Sequence, residues 1–153
     1  MKTSLITAED ALLIAEARAV LAKYYTPGKH HVGAAIRTKT GRTFAAVHLE
    51  ANVGRVAVCA EAIALGKAIS EGESAFDTIV AVRRPGAATS DAEIAVVSPC
   101  GICRELLSDY GADMQVIFAD AGVVRKCGVL DLLPGKYTRG AADAPATTPA
   151  NAG

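Results

Sequence analysis

Two thiols three residues apart, directly behind a proline, place the tightest constraint on this chain: Pro99-Cys100-Gly101-Ile102-Cys103. Proline is at home in the first turn of a helix, where its missing N–H leaves no bond unmade, so the segment predicts a helix running to about Tyr110. Side chains three apart on such a turn share one face, and two thiolates there can grip a single ion. The positive end of the helix dipole lowers thiol pKa and favours the ligating form. A thioredoxin-like redox pair is the other use of this spacing, although no aromatic residue precedes Cys100 here.

Cys59-Ala60-Glu61 lies at the head of a second helix, an alanine-rich one predicted over 56–70 and closed by Glu71-Gly72. Glu61 is the only charge between Val56 and Gly66. A lone carboxylate in a helix built for burial is costly to desolvate unless it has a partner; otherwise it lies on an exposed edge. One functional reading accounts for both neighbours: Cys59 supplies a third ligand, and Glu61 leans toward a fourth, open position. Three protein ligands leave room for water, as a catalytic zinc site requires, whereas four would close it. A carboxylate beside that position can accept a proton from water and deliver it to a ring nitrogen and then to a departing amine. That is the chemistry of hydrolytic deamination. Cys127 is left over and reads as a small buried hydrophobe. As a fourth ligand it would instead make a structural zinc module that binds a protein partner.

At 153 residues the chain predicts one domain, over 1–139, with a substantial core. A tail over 140–153, mostly Ala, Thr, Pro, Asp and Gly, has too little apolar bulk to order itself. The 16 basic and 16 acidic side chains cancel and aromatics make up 5%, which argues against a nucleic-acid partner. Glu9, Asp10, Glu16 and Arg18 interrupt the first apolar run, so no secretory core is expected, and nothing is long enough for a membrane span. A cytoplasmic location is the expectation. Four cysteines in that reducing setting point to metal or catalysis before disulfides.

Thr7-Ala8-Glu9-Asp10 predicts an N-cap with acids in the first turn of a helix ending near Tyr24. Strands are expected over 31–38 and 42–49, joined as a hairpin, then over 76–82, 114–119 and 122–126. Residues 83–90 read as a loop, 93–98 as extended and 130–133 as a helical turn. This order predicts an α/β fold of three layers, a mixed five-stranded sheet with helices on both faces.

Cys59-Ala60-Glu61 and Ser98-Pro99-Cys100-Gly101-Ile102-Cys103-Arg104 together resemble the zinc motifs of the cytidine deaminase family. The resemblance extends through Val32-Gly33-Ala34-Ala35 and Leu132-Leu133-Pro134, covering roughly 6–137. It implies the cytidine deaminase-like fold, zinc on Cys59, Cys100 and Cys103, and Glu61 as proton shuttle. It also implies a small-molecule substrate, cytidine, deoxycytidine or a related aminated heterocycle, held partly by backbone groups at Ala60 and Ser98. Around the pocket the match loosens. The family's Asn-x-Glu element, which holds ribose hydroxyls and base, stands here as His48 and Glu50. A family Phe is His30, followed by His31; a family Tyr is Gly54, beside Arg55. These changes predict a more polar and cationic mouth, with Arg55 placed to clamp a carboxylate or other acceptor-rich group. Ala62 replaces a family Arg that offsets thiolate charge. An aliphatic residue there, the Leu65-Gly66 segment and Leu133-Pro134-Gly135-Lys136-Tyr137 resemble the blasticidin S deaminases. The aromatic after Leu-Pro reaches a neighbouring subunit's site in the family. Tyr137 is its match, and the resemblance implies a homotetramer.

Overall fold

The computed structural model describes residues 1–85 and 93–139, so the expected tail over 140–153 and most of the expected loop over 83–90 lie outside the described residues. Helix α1, Ala8–Tyr24, opens with a reciprocal cap: the Thr7 hydroxyl accepts from the Asp10 N–H at 3.2 Å, and the Asp10 carboxylate accepts from the Thr7 N–H at 3.0 Å. Strands β1 (Val32–Thr38) and β2 (Thr43–Val47) form the hairpin. A 3-10 turn, Gly54–Val56, precedes helix α2 (Ala60–Ser70). Then come β3 (Phe76–Arg83), β4 (Ala95–Val97), helix α3 (Gly101–Tyr110), β5 (Gln115–Asp120), β6 (Val123–Gly128) and a closing 3-10 turn, Val129–Leu132.

The sheet runs β2-β1-β3-β5-β6, with β3 and β5 parallel and the other pairs antiparallel. It is the mixed sheet expected, but six-stranded rather than five-stranded. The extended segment before the cysteine pair becomes β4, whose Ala95, Val96 and Val97 pair with Arg83, Val82 and Ala81. Strand β5 uses an earlier stretch of β3, Thr78 to Val80. Helix α2 also starts later than its apolar pattern predicts. Leu49 and Val58 exchange backbone hydrogen bonds of 3.0 and 2.9 Å, which holds Val58 extended and delays the helix to Ala60. Pro99 lies one residue outside α3, whose N-cap is Cys100.

Side-chain alternation divides the core into two layers. Ala34 and Ile36 of β1, Ile79 and Ala81 of β3, and Val116 and Phe118 of β5 pack with Ala64 and Leu65 of α2 and Leu107 of α3. Their neighbours Ala35, Val80, Val82 and Ile117 face Leu13, Ile14, Ala17 and Leu21 of α1. Gly33 permits this close approach, because a Cβ there would stand 2.8 Å from the Ala17 carbonyl and 2.9 Å from Leu21 Cβ.

A buried charge cluster locks α1 to the sheet. Asp10 is fully buried and accepts from Lys126 of β6 at 2.6 Å and Arg37 of β1 at 3.1 Å. Arg37 also donates to Asp77 of β3 at 2.8 Å. Burial pushes the Asp10 carboxyl up, but Lys126, the Thr7 N–H and Arg37 together outweigh it and leave the pKa at about 2. Asp10→Asn would strand two cations, and should cost on the order of 3 kcal/mol and lower Tm by roughly 10 °C. The folded carboxyl titrates below its ordinary 3.8, so its stabilisation is complete above about pH 4 and is lost as pH falls toward 2. Thermal melts between pH 2 and 7 should show that acid-dependent component in the wild type and not in Asp10→Asn.

Candidate active site

Two helix N-termini converge on one cluster of thiols. Cys59 is the N-cap of α2 and Cys100 the N-cap of α3, both in extended backbone conformation. Neither side chain caps its own helix, unlike the Ser, Thr, Asp or Asn usual at that position, so both sulfurs are free to face outward. Their Sγ atoms are 3.6 Å apart. Cys103, fully buried in the first turn of α3, completes a group whose ligand atoms all lie within 4.8 Å of one another. Tetrahedral zinc with Zn–S near 2.3 Å calls for sulfurs about 3.8 Å apart, a spacing this donor set fits. Burial pushes the Cys59 thiol up and Cys100 adds to the shift; burial and then the charge of Glu61 push Cys103 higher still. Such thiols hold their protons unless a cation offsets the charge, and a divalent ion reverses that balance. Cys127 is outside the cluster. It lies in the core on β6, 2% exposed, with its thiol pushed by burial to about 11.

Cys59 and Cys100 of the cluster line a cavity of about 260 Å³, together with Glu61, His48, Ser98 and Arg83 and the apolar Val32, Ala57, Val58 and Val97, while Cys103 lies buried behind them. Glu61 is 5% exposed, and burial raises its carboxyl against the opposing pull of its own N–H and the Cys103 thiol. Ala60, fully buried, separates Cys59 from Glu61 at the start of α2. Ser98 is anchored by its hydroxyl to the Ala119 carbonyl at 3.3 Å. Arg104 donates to the carbonyls of Pro99 at 2.9 Å and Leu132 at 3.1 Å, bracing the turn that carries Cys100.

His48 is the buried donor of this cavity. Its Nδ1 accepts from the backbone N–H groups of His31 at 3.2 Å and Val32 at 3.1 Å, which puts the ring proton on Nε2. Nε2 has no hydrogen-bond partner, and the nearest Glu50 oxygen is 3.6 Å away. Burial, then His31, lowers the His48 pKa, so the ring is held neutral. The expected cationic mouth is corrected on this point. His31, His48 and Glu50 lie close enough together to enclose an ion. The Nε2 proton occupies the lone pair that a metal would need, so the trio reads as a hydrogen-bonding set. Glu50 stays ionised, its carboxyl lowered chiefly by the Ala51 N–H at 3.1 Å.

Of the residues expected around the pocket, His48 and Ser98 line the cavity, whereas Glu50, Ala60, His30, Arg55 and Tyr137 stand outside its lining. The His30 ring donates from Nδ1 to the His48 carbonyl at 2.7 Å and faces a separate hollow with Tyr25, Val47 and Leu49. Arg55 is exposed on its 3-10 turn, and Tyr137 is 77% exposed beyond the last turn. Arg83 occupies the wall instead. The sequence assigns it to a loop, but β3 runs one residue further, and the alternation Ile79, Ala81, Arg83 aims it at the α2 and α3 side. Continuing that period by one step is the signal that finds it.

A fold of this kind, with a thiol triad and a buried carboxylate at two helix N-termini, defines a zinc-type hydrolase site. Residues 7–119 match the family model of the cytidine and deoxycytidylate deaminase zinc-binding region. The chain is 53% identical over 139 residues to the blasticidin-S deaminase of Bacillus cereus, covering 91% of this chain and 99% of that protein. It is 31% identical over 130 residues to the cytidine deaminase of Sporosarcina psychrophila, covering 83% and 90%. The crystal structure of cytidine deaminase from Burkholderia pseudomallei superposes with a TM-score of 0.68 at 30% identity, covering 86% of this chain and all 100% of that one. The chain belongs to the cytidine and deoxycytidylate deaminase family, a family of zinc-dependent hydrolytic deaminases. No helix among the described residues is long and apolar enough to cross a membrane.

Nitrogen-15 NMR of the imidazoles tests the tautomer. His48 should show a protonated Nε2 and a bare Nδ1 at pH 7, and should remain neutral below the ordinary histidine pKa of 6.5.

Proposed function

We propose that this protein hydrolytically removes the exocyclic amine of a cytosine-type nucleoside, with blasticidin S the first substrate to test and cytidine and deoxycytidine the next. The observation that carries the reading is a cluster of three thiols, two of which line one small cavity together with the buried Glu61. The 53% identity to a blasticidin-S deaminase supports that choice of first substrate, as does His48 in place of the family's amide. The 31% identity to a cytidine deaminase supports keeping cytidine in the panel.

In this reading Cys59, Cys100 and Cys103 hold zinc, aided by the dipoles of α2 and α3. Bound there, zinc supplies an open Lewis-acid position at which water becomes acidic near neutral pH. Glu61 receives the proton that the attacking water gives up, and passes it to the ring nitrogen as the water oxygen bonds to the amino-bearing carbon. A second transfer through Glu61 protonates the amine, which leaves as ammonia while the carbon becomes a carbonyl. Ala60 and Ser98 present backbone groups to the base. His48 Nε2–H and the Glu50 carboxylate together take a sugar hydroxyl, which can accept from one and donate to the other. The apolar walls exclude bulk water and strengthen each of these contacts.

The competing reading is a closed four-cysteine structural zinc, and the place of Cys127 in the core speaks against it. A homotetramer accords with the exposure of Leu49, Val53, Val56, Val58 and Tyr137. A cytoplasmic setting would keep the four free cysteines reduced.

Two experiments check the assignment. Glu61→Gln should lower ammonia release by about 10²- to 10⁴-fold while zinc stays bound at one per chain. Cys59→Ser, Cys100→Ser and Cys103→Ser should each lose zinc on mild chelation, whereas Cys127→Ser should retain it. Zinc loss in Cys127→Ser would favour the structural module, and full activity in Glu61→Gln would remove the carboxylate from the mechanism.

A further inference from the structure

Arg83 is the only lysine or arginine in the cavity lining, and it makes no side-chain hydrogen bond or ion pair among the described residues. Its backbone is fixed between two strands, opposite Val32 of β1 and Ala95 of β4. Its side chain continues the Ile79 and Ala81 row toward the α2 and α3 side. Val32, its cross-strand partner, also donates its N–H to His48 Nδ1. Arg83 and His48 therefore stand on one wall. His48 lines the same cavity, and its buried Nε2–H has no hydrogen-bond partner. A guanidinium without a partner, on the wall that also carries His48, offers charge-assisted hydrogen bonds to an anionic group beyond the hydroxyl that His48 and Glu50 take.

Resting on the nucleoside deaminase reading above, we propose that Arg83 is a specificity-determining residue that binds an anionic group, carboxylate or phosphate, carried on the sugar side of the substrate. The sugar side follows from the roles left open. In the proposed function the thiols and Glu61 take the amino-bearing ring and the His48–Glu50 pair takes a hydroxyl, while Arg83 lies opposite Ala95, away from the Val97 end of β4 that leads to Cys100. Arg83 is left for what lies beyond. Arg55, exposed and off the cavity lining, has no part in this contact. The competing role for Arg83 is general countercharge to the thiolates, in place of the cation missing at Ala62. That role would affect every substrate alike.

The test compares four substrates on the zinc-loaded full chain: cytidine, its 5′-carboxylate, cytidine 5′-monophosphate and blasticidin S. Wild type, Arg83→Met and Arg83→Lys are each measured for kcat and KM. Wild type should prefer one of the two 5′-anions over cytidine, and which one identifies the group as carboxylate or phosphate. Arg83→Met should cut that preference by about 10- to 100-fold, mainly through KM, the range of a charge-assisted hydrogen bond. Arg83→Lys should retain part of it. No preference in wild type, a preference that survives Arg83→Met, or equal losses of kcat on cytidine and the anions would overturn the inference. Turnover of blasticidin S with none of the cytidine series, at a KM unchanged in Arg83→Met, would overturn it while leaving the deaminase reading standing. Turnover of nothing in the panel would overturn both.

Discussion

Three sulfurs cannot stay close together as anions without a cation between them, and this structure brings three within 4.8 Å. Everything near the site serves that convergence. Helices α2 and α3 meet at their N-termini with cysteine as N-cap in both, so the residue that ordinarily closes a helix end points at a ligand instead. The Leu49–Val58 bridge stops α2 from starting earlier and thereby sets the position of Cys59. Arg104 fixes the Pro99 carbonyl and with it the turn at Cys100. The helix dipoles add positive potential where three thiolates and Glu61 would otherwise repel one another.

The sheet is what brings the two N-termini together from segments some 40 residues apart in sequence, Cys59 to Cys100. Strand β3 is its centre, pairing β1 on one edge and both β4 and β5 on the other. Strand β4 runs antiparallel to β3, from Ala95 opposite Arg83 to Val97 opposite Ala81, so its register fixes where the chain leaves the sheet toward Ser98 and Cys100. The opposite layer contributes rigidity rather than chemistry. Asp10, buried among Lys126, Arg37 and the Thr7 N–H, ties α1 to three strands through Arg37, Asp77 and Lys126.

What was legible in the sequence divides along physical lines. Elements with strong periodicity or local caps could be read directly: α1 from Thr7 and its first-turn acids, the hairpin around Gly41, and α3 from the proline-cysteine turn. The zinc motifs were legible because each ligand is set by its place on a helix terminus, a local property. Strand β4 was not, since a three-residue strand carries almost no pattern and exists only through its pairing with β3. The buried Asp10 network was invisible for the same reason. Asp10 reads as a first-turn acid, and only the fold supplies Lys126 from across the sheet.

The pocket walls were the least legible part, and the cause lies in how they are built. His48 reads as a titratable histidine until the two backbone N–H groups of His31 and Val32 are seen on Nδ1; they leave it a neutral donor. Arg55 and Arg83 are both exposed arginines near predicted element ends, and strand parity turns Arg83 to the cavity while Arg55, on a 3-10 turn, stays off its lining. In the function proposed above, reaction chemistry falls to helix N-termini, and substrate contacts to strand ends and the loop before α2. Because those are separate pieces of backbone, residues such as His48 and Arg83 can change without moving a sulfur. A pocket can thus depart from the family pattern, as this one does at His48, Gly54 and Ala62, while the thiol cluster and Glu61 keep the geometry their chemistry needs.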